Sequence, residues 1–299
     1  MMSGSVSLPD TKAAALANEG RPAVVVAFDG SPAAATALPL ARIVAGQLGA
    51  PVEVLHVAPT PRPDPDILKL LPNEPEADSA VRLRWAAGEP VAGILEVVSD
   101  PGVELVVLTT HGRVIQSDGY LGRVAEAVIA NTPHPVLLVR PEAAPSGPAL
   151  VPLEHLLLPL DGTPKTATAL QPATSLAGRL GASIDLLYVA STDQAPARER
   201  GAIHPSRYVD QPHHEWPHWS KEVVDRLCTC LAQCPASVPV QVYLAQGSIG
   251  PEIARFAREH RVDAIVLVRR SRLQPGRAPI LRSVLELTPC PVLLVAGEP

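Results

Sequence analysis

Two short stretches carry residue types suited to gripping a phosphorylated ligand. Asp29 closes an apolar run and leads into Gly30-Ser31-Pro32, while Thr109-Thr110-His111-Gly112-Arg113 closes another. In an open parallel sheet, ligands bind at the carboxyl ends of the strands where neighbouring connections diverge, so the two loops are expected to share one crevice. Gly112 opens a loop that returns at Gly122, and Arg123-Val124-Ala125-Glu126 then starts a helical pattern. Glycines let the main chain approach a phosphate, and a helix N-terminus adds amide donors and a favourable dipole. The spacing therefore reads as a phosphate cradle. His111 and Asp29 flank it, and a histidine beside a Gly-rich turn reads as a turn or ligand-contact residue rather than a general base.

Other chemistries find less support. The chain holds no Gly-x4-Gly-Lys-Ser/Thr loop, no kinase signature and no Gly-x-Ser-x-Gly elbow, so fast ATP turnover is not expected. His204, His213, His214 and His218 precede Cys228, Cys230 and Cys234, but the cysteines do not share one helical face and Pro217 interrupts the histidine spacing. With Trp216 and Trp219 they read as a surface cluster, not a metal centre.

The elements that must position these residues come in two copies. Asp29-Gly30-Ser31-Pro32 recurs as Asp161-Gly162-Thr163-Pro164, and close to half of the positions 24–58 match 156–190 without a gap. Thr132-Pro133-His134-Pro135 returns as Thr288-Pro289-Cys290-Pro291, each time before Val-Leu-Leu-Val. In each copy an apolar strand precedes an Ala-rich helix, expected over 32–48 and 164–180, with Pro at its start and Gly49 or Gly181 past its end. Strands follow at 52–57, 80–85, 104–109 and 135–139, with helices at 90–98 and 124–130. The second copy repeats them at 184–189, 238–244, 264–268 and 291–295, with a helix at 251–260. The fold class is α/β: two repeated open parallel-sheet domains, Rossmann-like, with helices on both faces. A loose tail over 1–20 precedes the first domain, 21–140; a Pro- and Ala-rich linker, 141–152, leads to the second, 153–299. After its second strand the first copy has a short Pro-rich segment, 59–75, where the second has a long one ending in a helix, so the first domain is expected to lack most of one helix.

The 299 residues suit two such domains. A net charge of −5 without a dense basic stripe argues against nucleic acid as a partner. No apolar run reaches a membrane-spanning length, no secretory leader is legible, and four cysteines without a disulfide framework suit a reducing cytoplasm.

At the Gly112 loop the chain resembles the universal stress protein family, whose nucleotide-binding members carry Gly, two residues, Gly, nine residues, then Gly and Ser or Thr. The spacing from Gly112 to Gly122 fits. Thr109 stands at the first Gly, where a β-branched residue resists positive φ, and Arg123 replaces the hydroxyl residue, losing one hydrogen bond but adding a cation for phosphate. The likeness extends over both halves through Phe28-Asp29-Gly30-Ser31, Leu55-His56-Val57 and the closing Val136-Leu137-Leu138-Val139. It implies that Asp29 faces the adenosine, that Ala27 and Val57 line the adenine pocket, and that Gly112, Gly122, Arg123 and Val124 surround the phosphates of ATP, with Mg, alongside Leu108, Thr109, His111 and Arg113. It implies equally a stress-response regulator acting through nucleotide occupancy, and pairing of the two closing strands into an intramolecular pseudo-dimer, with a homodimer as a further option. A scaffold with two silent sites and a slow nucleotide hydrolase are the alternatives. In the second copy the Gly-containing loop is replaced by Val268-Arg269-Arg270-Ser271-Arg272, and Ala278-Pro279 stands at the later pair. Arg269, Arg270, Arg272, Arg277 and Arg282 are expected to form a solvated basic loop.

Overall fold

The computed structural model describes residues 23–59, 81–112, 121–141, 151–160, 168–191, 237–269, 279–288 and 290–297. The N-terminal tail, Arg113, Asp161, most of the linker, nearly all of the Pro-rich segment and the His/Cys cluster lie outside the described residues. The first repeat comprises strands β1 (Ala23–Ala27), β2 (Val52–Ala58), β3 (Val81–Ala87), β4 (Val103–Thr109) and β5 (Val136–Val139), with helices α1 (Pro32–Ala35), α2 (Leu38–Leu48), α3 (Pro90–Val98) and α4 (Arg123–Asn131). The second comprises β6 (His155–Leu160), β7 (Ser183–Ser191), β8 (Val240–Gly247), β9 (Ala264–Arg269) and β10 (Val292–Ala296), with α5 (Leu170–Leu180), α6 (Ile249–Glu259) and α7 (Pro279–Leu287).

Local chemistry explains the boundaries. Ser31 caps α1, its hydroxyl accepting from the Ala34 amide at 3.0 Å, and Pro32 supplies a pre-set φ at the first helical position. The single helix expected over 32–48 is two. Pro39 has no amide to donate to Ala35 and its ring crowds that carbonyl, so the chain turns at Thr36 and restarts at Leu38. Gly49 and Gly181 end α2 and α5 in the left-handed region, at φ 65° and 72°, as their place after the last apolar residue predicts.

The ten strands form one sheet in the order β3-β2-β1-β4-β5-β10-β9-β6-β7-β8. Every described pairing within a repeat is parallel; β5 and β10 pair antiparallel, with Val292 opposite Leu138, Leu293 opposite Leu137 and Leu294 opposite Val136. The two closing strands thus meet within one chain, and the carboxyl ends of the two sets of parallel strands face opposite edges of the sheet. Alternate residues feed two core layers. One, under α1, α2 and α5, runs from Val24 and Val54 through Leu137 and Leu293 to Leu156 and Leu186. The other, under α3, α4, α6 and α7, runs from Val25 and Leu55 through Leu138 and Leu294 to Ile265 and Leu187. Both layers cross the β5–β10 seam, where Leu137, Leu138 and Leu293 are at most 2% exposed. Burying each such side chain stabilises the fold by roughly 1.5–3 kcal/mol. No described helix is long and apolar enough to cross a membrane. Burial pushes the Cys290 thiol up to about 11, and its S–H donates to the Val262 carbonyl at 3.2 Å, so this cysteine is a neutral structural group.

A side-chain amide stitches the halves together away from the seam. Gln47 on α2 donates through Nε2 to the Leu153 and Leu180 carbonyls at 3.0 and 2.9 Å, and its Oε1 accepts from the Leu153 amide at 2.9 Å. It therefore ties the start of the second repeat and the end of α5 to α2. The Arg179–Glu104 ion pair also crosses the domains, but the arginine is 46% exposed and such a pair contributes little. Gln47→Leu keeps the bulk and strands two carbonyls and one amide. Urea unfolding is expected to show a loss of about 1–3 kcal/mol; an unchanged midpoint would mean that water replaces the amide without cost.

Candidate functional site

The strand order reverses at β1 and β4: from β1 the chain proceeds outward to β2 and β3, then returns to β4 and β5 on the other side. Their carboxyl ends form the crevice of the first domain. Phe28, just past β1, is buried and its amide donates to Leu55 O at 2.9 Å. His56, 8% exposed, donates from Nδ1 to Phe28 O at 2.7 Å and meets Trp85 edge-on, ring centroids 5.0 Å apart. These contacts fix the peptide that presents Asp29. The Asp29 carboxylate then accepts from the Ser31 amide through Oδ1 at 2.9 Å, with Gly30 between them at φ 80°, a conformation costly for any residue carrying a Cβ.

The β4 loop closes on this turn. The Thr110 amide donates to Val139 O at 2.9 Å, and its carbonyl accepts from the Gly122 amide at 2.8 Å, so one buried residue ties β4, β5 and the entry to α4 together. Gly112 lies against Asp29: a Cβ built on it would fall inside contact distance of Oδ2 and 3.1 Å from Cγ. A side chain at 112 would push the Asp29 carboxylate aside and disturb its bond to the Ser31 amide. Leu121, 5% exposed, anchors the returning loop in the layer that holds Ala125 and Leu108. Gly122 caps α4 with no side-chain bond, at φ −72° and ψ 151°. Glu126 N reaches back to Gly122 O, which leaves the Arg123, Val124 and Ala125 amides outside the helix ladder; no described residue supplies them an acceptor. Arg123 and Val124 are exposed beside them.

Asp29, Gly112, Gly122, Arg123 and Val124 are thus gathered at one crevice. Ala27 and Val57 lie at its β1 and β2 side, partly buried on the α3 and α4 layer. A Cβ on Gly93 of α3 would come 2.7 Å from Val57 Cγ1, so α3 lies directly on this wall. Leu108 is different from expectation: at 3% exposure it is a core residue beneath the crevice. Thr109 is corrected too. It is the last residue of β4, opposite Val139, and no positive φ is asked of it. His111 turns Nδ1 to within 3.3 Å of the Thr110 hydroxyl. Sequence reasoning missed the tying role of Thr110, the His56 support and the Leu121 anchor, because none has a distinctive spacing; the alternation along β2 was the one signal that places His56 on a covered face.

The second-repeat arginines also depart from expectation. Arg269 is half-buried, and its Nη1 donates to Ile129 O at 2.6 Å and to Thr132 O, both on the other domain. It does not belong to a solvated loop, because its strand neighbour across the register is Ala296, which leaves room for the longer side chain. Arg282 pairs with Glu286 on the exposed face of α7 at 2.7 Å, and the remaining arginines of that group lie outside the described residues.

The contact between Gly112 and Asp29 makes a stability prediction. Gly112→Ala is expected to cost about 1 kcal/mol, the bond to the Ser31 amide that the displaced Asp29 carboxylate gives up. Adding Asp29→Ala relieves the clash, so urea unfolding of the four-member cycle is expected to be strongly non-additive; additive losses would separate the two loops.

The profile of the universal stress protein family matches residues 21–140 and again 152–296. No curated protein matches the chain. Among solved structures, a universal stress protein from Archaeoglobus fulgidus DSM 4304 is similar at 16% identity and TM-score 0.59, covering 92% of this chain and 96% of that one. A functionally unknown protein from Pseudomonas aeruginosa PAO1 is similar at 15% identity and TM-score 0.58, covering 93% of each. Those likenesses concern the fold of the whole two-repeat chain. Matched over most of its length by two successive copies of one profile, the chain belongs to the universal stress protein family.

Proposed function

We propose that the chain binds an adenine nucleotide, ATP, in the crevice of its first domain, and that occupancy rather than turnover sets its conformation or its choice of partner. The observation that carries this reading is α4: a helix with an uncapped N-terminus whose first amides stand next to the Asp29–Gly112 contact at the sheet's switch point. Three outward amides and the helix dipole suit a polyphosphate, and Arg123 can add paired donors to it. Asp29 faces the adenosine and Ala27 with Val57 offers the base an apolar wall. Magnesium accompanies the nucleotide on its phosphates. The second domain supports a division of labour: Arg269 reaches away from its own crevice into the other half.

The residue that tests the cradle is Gly122. Its backbone already has N-cap geometry, and an added Cβ would meet Thr110 O at 3.5 Å, an ordinary contact. Gly122→Asp therefore folds, with a thermal midpoint equal to or slightly above the parent's, since aspartate caps helices well. Its carboxylate takes the cradle amides and repels phosphate, so calorimetry is expected to show ATP affinity lower by at least about 100-fold, with Gly122→Ala close to the parent. Equal affinity in Gly122→Asp would remove α4 from the site, and a parent that neither binds ATP nor co-purifies with a nucleotide would leave the scaffold reading.

A further inference from the structure

Two arginines cross the seam to the same point of the repeat. Arg140, just past β5, donates from Nη1 to the carbonyls of Leu285 and Thr288, the latter at 3.0 Å, at the end of α7. Arg269, at the end of β9, donates to Ile129 and Thr132 at the end of α4. Ile129 and Thr132 are the repeat counterparts of Leu285 and Thr288, yet the arginines come from different places. The counterpart of Arg140 is Ala296, and Ala296 stands in register with Arg269 on the adjacent strand. The same receptor, the last turn of the helix before the closing strand, is thus filled twice by unrelated donors. Neither α4 nor α7 has a basic residue in its own last turn. Each helix ends on a cation lent by the other domain, where positive charge and donors are favoured.

The two clasps differ in what lies at the other end of the helix. The α7 N-terminus begins with Pro279, whose ring removes one amide. The α4 N-terminus presents the cradle amides. With nine residues α4 spans under three turns, so a cap at one terminus acts close to the turn at the other, on a helix held to the core by Ala125, Val128 and Ile129. His134 adds no second cation there. Burial pushes its imidazole below its ordinary value and the nearby Arg269 charge adds to this, against the opposing Asp100 main chain and carboxylate.

We infer that Arg269 is a positioning residue for the first domain's nucleotide site: the second domain, itself without the Gly-rich loop, orders α4 from its C-terminal end and thereby couples nucleotide occupancy to the seam between the domains. Coupling of this kind is reciprocal, so bound ATP also strengthens the Arg269 clasp. The inference rests on the ATP reading of α4.

The test compares Arg269→Met with Arg140→Met and Arg269→Lys in the full chain. Both methionine variants lose a clasp and are expected to lower the thermal midpoint by similar amounts. Arg269→Met alone is expected to weaken ATP binding by calorimetry, by roughly 5-fold, and to raise amide hydrogen exchange along α4; Arg140→Met raises exchange along α7 and leaves affinity within about 2-fold. Arg269→Lys, which keeps the charge, restores part of the affinity. An Arg269→Met protein that binds ATP like the parent, or an equal affinity loss in both methionine variants, overturns the coupling while the ATP reading stands. No ATP binding by the parent removes both.

Discussion

The pairing of β5 with β10 is the constraint on which the rest of the molecule depends. A parallel sheet of five strands ends in an apolar edge with unpaired amides and carbonyls, which in isolation invites association with another chain. Here each repeat's closing edge is covered by the other's, Val136-Leu137-Leu138 against Val292-Leu293-Leu294. Because the junction is antiparallel, the two crevices open at opposite edges, and each closing strand ends beside the turn that leads into the other. That geometry brings Arg140 to the end of α7 and leaves a matching vacancy at Ala296 that Arg269 fills. Among the described residues no strand pairs with the outer edges of β3 and β8. On β3, Val81 and Leu83 are each 38% exposed, whereas the seam leucines are sealed.

Within this frame the two repeats share a scaffold and differ in the loops and contacts at its ends. Both retain the strand-turn-helix start, the left-handed glycine after the first long helix and the Thr-Pro-X-Pro approach to the last strand. The first keeps the small residues where loops must touch: Gly112 against Asp29, and Gly122 at the start of α4. In the second, proline opens the corresponding helix and the residue at the Thr110 position is Arg269, whose side chain serves the neighbouring domain. At that one position the tie made by Thr110 in the first repeat gives way to a contact across the domains. Such an exchange is open to a duplicated domain once the two copies need not act alike.

Most of the fold was legible because it is carried by local signals repeated twice. Valine- and leucine-rich runs of strand length, separated by Ala-rich helices with proline at the start and glycine at the end, leave few alternatives to a parallel sheet, and the duplicated closing segment pointed to the seam. The exception inside an element was Pro39, read as part of a continuous helix although it lacks the amide that helix needs; its equivalent in the second repeat is Gln171, which masked the signal. The site was legible in part. Gly112, Gly122 and Asp29 announce themselves by type and spacing. Gln47, Thr110 and Arg269 do not, because their roles depend on partners more than a hundred positions away or on a register that sequence alone does not specify. An arginine among four others reads as solvated surface until a neighbouring strand leaves it an alanine-sized gap. Leu108 was misplaced for the related reason that strand alternation puts it under the crevice, not in it.

The account stands or falls on the first turn of α4 gripping a polyphosphate. Site-resolved amide NMR of the full chain, titrated with magnesium ATP, observes those donors directly. The account predicts saturable shifts concentrated at the Arg123, Val124 and Ala125 amides and at Gly30 and Ser31, with the α7 amides from Ile280 onward unmoved. Shifts at α7 instead, or spectra indifferent to millimolar nucleotide, would contradict it.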